Sequence, residues 1–66
     1  MDKHREMVFR AARNMIERYG DDALVEVDLR IAELTARGQH DTETLWKEIR
    51  EAVRFLTYKP DDYTEQ

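Results

Sequence analysis

Ala23-Leu24-Val25-Glu26-Val27-Asp28-Leu29-Arg30-Ile31-Ala32-Glu33-Leu34-Thr35-Ala36 is the stretch that decides the fold. At about 100° per residue, Leu24, Val27, Ile31 and Leu34 fall on one stripe of a helix. Val25, Leu29, Ala32 and Ala36 fall on a second stripe, roughly 150° away. Glu26, Arg30, Glu33 and Arg37 make the one clearly polar face. A helix that is apolar over most of its circumference is expected to be covered on most sides. This segment is therefore read as the central helix of an all-α domain.

Glycine and proline bound the segment and its neighbours. Gly20 and Gly38 each follow a helical pattern, where glycine allows the left-handed conformation that ends a helix. Asp21 or Asp22, and then Asp41 or Thr42, are candidate N-caps for the helices that follow. Pro60 stops the last one. The expected helices run over 2–19, 22–37 and 42–58. The first carries Val8, Ala12, Met15, Ile16 and Tyr19 at i, i+3, i+4 spacing, with Phe9 at the stripe's edge. The third carries Leu45, Trp46, Ile49, Ala52, Val53 and Leu56. The architecture expected is a three-helix bundle, or a helical hairpin plus a third helix, completed by dimerisation. Its core should contain Val8, Met15, Ile16, Leu24, Val27, Ile31, Leu34, Trp46, Ile49, Val53 and Leu56. Residues 1–59 form the single helical domain and residues 60–66 a flexible acidic tail, which has too little apolar surface to offset its ordering entropy.

Length and charge narrow the function classes. A chain of 66 residues buries only about 60% of its unfolded surface and is marginally stable alone. Such chains often rely on a staple or a partner. Cysteine is absent, which excludes disulfides and thiolate metal sites. His4 and His40 lie in different segments, so no metal site is expected. No wholly apolar run exceeds three residues, against the ~20 that a membrane span needs. The N-terminus is charged and has no signal-peptide core. No membrane association and a cytoplasmic location are expected.

Charge is unevenly placed. Asp2 to Gly20 carries five bases and three acids, a net of +2, whereas Asp21 to Gly38 carries two bases and five acids, a net of −3. Attraction between these segments is the simplest use of the asymmetry. A nucleic-acid footprint would need a basic cluster on one face. A helix-turn-helix could be drawn across Gly38, but Glu48 and Glu51 alternate with Lys47 and Arg50 and would oppose phosphates. Glu6/Arg10, Glu26/Arg30, Glu33/Arg37 and Glu43/Lys47 all place an acid four residues before a base, a spacing that supports a helix by about 0.2–0.5 kcal/mol per pair.

Motifs of chemistry are missing. The chain has no glycine-rich phosphate loop, no HExxH, no EF-hand loop and no serine or cysteine nucleophile. Neither an enzyme nor a cofactor is expected. Four residues stand outside the helical pattern. Asp28 projects between the two stripes of the central helix, either in a salt bridge to a neighbouring helix or as a polar device that fixes register between chains. Phe55 and Tyr58 leave the stripe of the third helix, and Tyr63 sits in the tail. Single exposed aromatics are ordinary; a cluster of them would instead make a docking patch, or cover the core if the tail folds back. The second stripe, Val25, Leu29, Ala32 and Ala36, is the candidate interface, with Phe55 as an added contact; the rival is that the first and third helices straddle the central one and bury both stripes. A two-fold axis would place the same stripe on both chains.

The segment Ala11 to Leu56 also resembles a family of short bacterial helical proteins. The shared pattern runs Ala12-Arg13-Asn14-Met15-Ile16-Glu17-Arg18-Tyr19-Gly20-Asp21-Asp22-Ala23, then Arg30-Ile31-Ala32-Glu33-Leu34 and Arg37-Gly38, then Trp46-Lys47-Glu48-Ile49 and Ala52-Val53. The resemblance implies a compact helical domain in a bacterial cytosol. It transfers no catalytic or binding residue, since no activity is assigned to that family. The function expected is a non-enzymatic protein–protein interaction module that self-associates, with a regulatory or adaptor role and a protein partner. The alternative is a small DNA-associated helical regulator.

Overall fold

The computed structural model describes residues 2–58, and these are all-helical. Helix α1 spans Lys3–Tyr19, a single 3₁₀ turn spans Gly20–Asp22, α2 spans Ala23–Ala36 and α3 spans His40–Thr57. The acidic tail expected over 60–66, and Tyr63 with it, lies outside the described residues.

The helix ends show which residues do the capping. Asp2 is the N-cap of α1 rather than its first residue. Its Oδ1 accepts from the backbone N–H groups of His4 and Arg5 at 3.1 and 3.3 Å. The expected caps of the other helices are corrected. Asp22 makes no side-chain cap bond, because the 3₁₀ turn leads straight into α2 and holds Asp22 at φ −91°, ψ 6°. A capping side chain needs extended backbone at that position. Helix α3 begins two residues earlier than expected, at His40, with Gln39 before it. Asp41 and Glu43 thereby fall in the first turn, where carboxylates complement the helix dipole. Gly38 (φ +71°) ends α2. Its N–H donates to Thr35 O at 3.1 Å and the Gln39 N–H to Leu34 O at 3.0 Å, the paired bonds of a Schellman motif.

Side-chain pairings give the helix directions. His4 of α1 meets Glu48 of α3, and Phe9 meets Phe55. Both numbers rise together, so α1 and α3 run parallel. Asp28 of α2 meets Arg50, and Arg30 lies over Trp46. There one number rises as the other falls, so α2 and α3 run antiparallel. Helix α3 thus touches both of the others along opposite edges.

Val8, Ala12, Met15, Ala23, Val27, Ile31, Ile49, Ala52 and Val53 form one buried cluster drawn from all three helices. Leu34 is buried as well. Three of its members are alanines, Ala12, Ala23 and Ala52. Part of the expected core is corrected. Ile16, Leu24 and Trp46 are only half-buried, packed on the cluster's rim. Leu56 is exposed at 38%. Ile16, Leu24, Val53 and Leu56 line an open cleft where α1 stops, α2 starts and α3 ends. At that end no fourth element covers them among the described residues.

Candidate protein-interaction surface

Helix α2 turns Ala23, Val27, Ile31 and Leu34 into the core. Val25, Leu29, Ala32 and Ala36 then fall on the far side of the helix, about 175° from the centre of the buried stripe. Val25 is 55% exposed and Leu29 60%, and Ala32 and Ala36 are exposed beside them. Neither α1 nor α3 reaches this face, because both occupy the other side. The two stripes of α2 therefore have different fates: one makes the core, the other a continuous apolar ridge in water. Isolated exposed apolar residues are ordinary, whereas large contiguous patches mark binding surfaces.

Asp28 stands at the edge of this ridge. Its Oδ1 accepts from Arg50 Nη1 at 3.3 Å, with 57% of the Asp28 side chain and 33% of the Arg50 side chain exposed. The pair joins α2 to α3 within one chain. Arg50 Nε is shielded from solvent with no hydrogen-bond partner among the described residues. This is the salt bridge to a neighbouring helix expected of Asp28; which base supplies it could not be read from spacing, because the two residues are 22 positions apart.

Phe55 is not beside the α2 ridge. It lies on the edge of α3 that faces α1, where its ring meets Phe9 edge to face, with centroids 6.0 Å apart and an interplanar angle of 85°. It is 72% exposed. The Arg5 guanidinium stacks 5.7 Å from the centroid of Phe9. Phe9, half-buried at the stripe's edge, and Arg5 were not expected as members of a site. The signal was present in their spacing, four residues apart on one helix, but needed Phe55 to give it meaning. Tyr58 is also 72% exposed, at the C-cap of α3.

Several surface charges of α2 and α3 are paired. Glu33 and Arg37 meet at 3.2 Å and Glu43 and Lys47 at 3.1 Å, as their spacing predicts. The pairs expected for Glu6/Arg10 and Glu26/Arg30 are not made. Arg30 instead lies 5.0 Å over the Trp46 ring, where the indole face attracts the cation. Glu43 also accepts from the His40 ring at 3.2 Å. Hydrogen bonds from Lys47 and His40 hold the Glu43 carboxyl below its usual pKa.

No group of three His, Asp or Glu side chains among the described residues is placed to hold a metal ion. No described helix is long and apolar enough to cross a membrane. Comparisons with family models, with curated proteins and with solved structures find no match to this chain.

Proposed function

We propose that this chain is a non-enzymatic protein–protein interaction module with a regulatory or adaptor role, and that it self-associates through the outer face of α2. In this reading its helices form a three-helix bundle that a second copy completes, in a bacterial cytoplasm. The observation that carries the proposal is the exposure of Val25 and Leu29 on the face opposite the core. Transfer of four such side chains out of water contributes several kcal/mol at ~25 cal/mol per Å² of apolar area. Lost translational and rotational freedom opposes this by an estimated ~4–15 kcal/mol. The ridge alone supports a weak complex, and a tight one needs further contacts.

The DNA-associated alternative finds less support on α3, the helix that would enter the groove. Lys47 is bonded to Glu43, Arg50 to Asp28, and Arg54 lies 4.0 Å from Glu51. Bases already paired with carboxylates have little to offer phosphates.

Sedimentation of the wild type and of Leu29→Glu tests the proposal. The wild type should associate as concentration rises, and Leu29→Glu, substituted at an exposed position, should be a helical monomer. A wild type that stays monomeric at high micromolar concentration refutes self-association.

A further inference from the structure

The α2 ridge raises a pairing problem. On the helical wheel its immediate neighbours are Asp28 along one edge and Glu26 and Glu33 along the other. Arg30 and Arg37 stand one step further out, engaged with Trp46 and Glu33. Two identical ridges related by a two-fold axis can meet in two ways. Run antiparallel, each edge meets itself, so Glu26 and Glu33 face their own copies and Asp28 faces Asp28. Run parallel, the Glu26 and Glu33 edge faces Asp28. Carboxylates oppose carboxylates in both arrangements: Glu26 is in no ion pair among the described residues, and Asp28 and Glu33 are offset only by exposed pairs with Arg50 and Arg37. Like charges juxtaposed across an interface are disfavoured.

The complementary surface lies elsewhere on the same chain. Phe9 and Phe55 make an apolar centre along the α1–α3 edge. Arg5 and Arg13 stand four residues to either side of Phe9 on the same edge of α1, and both are exposed. Neither is in an ion pair among the described residues, whose ion pairs involve other bases. The acids nearest Phe55 on α3 are already engaged, Glu48 with His4 and Glu51 near Arg50 and Arg54. Asp2 and Glu6 also border Phe9, beside Arg5, Arg10 and Arg13, but the Asp2 carboxylate is taken up by the backbone N–H groups of His4 and Arg5. The rim is basic in balance and matches an aliphatic ridge with an acidic rim.

We propose that association is heterologous: the α2 ridge of one copy docks on the Phe9–Phe55 face of a second copy, with Arg5 and Arg13 meeting Glu26, Asp28 and Glu33. This rests on the reading of α2 as the docking surface and replaces its symmetric use. It also gives Phe55 a role that its distance from the ridge within one chain denies it. Because the two faces differ, such contacts either close into a ring or continue as an open chain.

A mixing experiment separates the possibilities. Leu29→Glu removes the ridge and Phe55→Glu removes the aromatic face, both at exposed positions. Circular dichroism checks that each is helical. If Phe55→Glu loses helix, Arg13→Glu on the same edge takes its place. Each variant alone should sediment as a monomer, since it retains one of the two faces. A one-to-one mixture should form a dimer and nothing larger, and added salt should weaken wild-type assembly. If the aromatic-face variant alone associates like the wild type and mixing changes nothing, the heterologous arrangement is wrong while self-association stands. Salt-strengthened assembly would say the same. A monomeric wild type overturns both.

Discussion

Val53 and Leu56 lie about one helical turn apart on the same stripe of α3, yet Val53 is fully buried and Leu56 is 38% exposed. The smaller residue should therefore matter more. Val53→Ala removes two methyl groups from a packed site, at about 0.8 kcal/mol each with a cavity added, and should cost about 2–3 kcal/mol. Leu56→Ala, at the open cleft, should cost about 1 kcal/mol or less by the same area argument. Urea denaturation of the two variants gives the ranking, and the reverse order would mean that the cleft is covered in solution. Glu43 offers a test of charge. Its carboxyl is held below the usual value of 4.5, with Lys47 and His40 donating to it. A group whose folded pKa is lowered adds stability above its unfolded pKa and loses it as pH falls through the folded one. Glu43→Gln should therefore lose stability less steeply than the wild type on acidification below about pH 4.5. Urea midpoints that fall in parallel for both proteins would contradict this.

The helices are held at their ends by different devices, and these respond differently to substitution. Helix α1 relies on the Asp2 carboxylate, which serves two backbone N–H groups. Asp2→Ala should cost about 1 kcal/mol, seen as faster amide exchange at His4 and Arg5. Helix α2 ends instead on the conformation of Gly38, at φ +71° with no atom near an added Cβ. The cost of Gly38→Ala is thus torsional and not steric, about 1–2 kcal/mol in the left-handed region. Gly38→Asn should cost less, since asparagine tolerates that region. Thermal midpoints of the two variants measure the difference, and equal midpoints would show that the turn relaxes.

For the molecule as a whole, α3 is the organising element, because it runs parallel to α1 along one edge and antiparallel to α2 along the other. Ile49, Ala52 and Val53 complete a cluster whose other members come from both earlier helices. Helices of 17 and 14 residues are marginal in water without tertiary support. A chain ended after Gly38 should lose most of its helical circular dichroism; retention of the full signal for α1 and α2 would show that their hairpin stands alone.

Three helices and their glycine breaks were legible in the residues themselves, because apolar spacing and backbone freedom are local properties. So was the division of α2 into two stripes, which is a matter of angle along one helix. The inward place of Val27, Ile31 and Leu34 was legible too; that the second stripe stays uncovered was decided by α1 and α3 packing on one side of α2 and leaving Val25 and Leu29 outside. The partnership of Asp28 with Arg50, the meeting of Phe9 with Phe55, and the capture of Arg30 by Trp46 all join residues far apart in the chain. Their geometry depends on how the helices cross, and no spacing within a single helix encodes that. Leu56 makes the same point from the other direction. Its place on the stripe was read correctly from the period, but burial requires a neighbour, and α3 runs past the point where α1 and α2 can supply one.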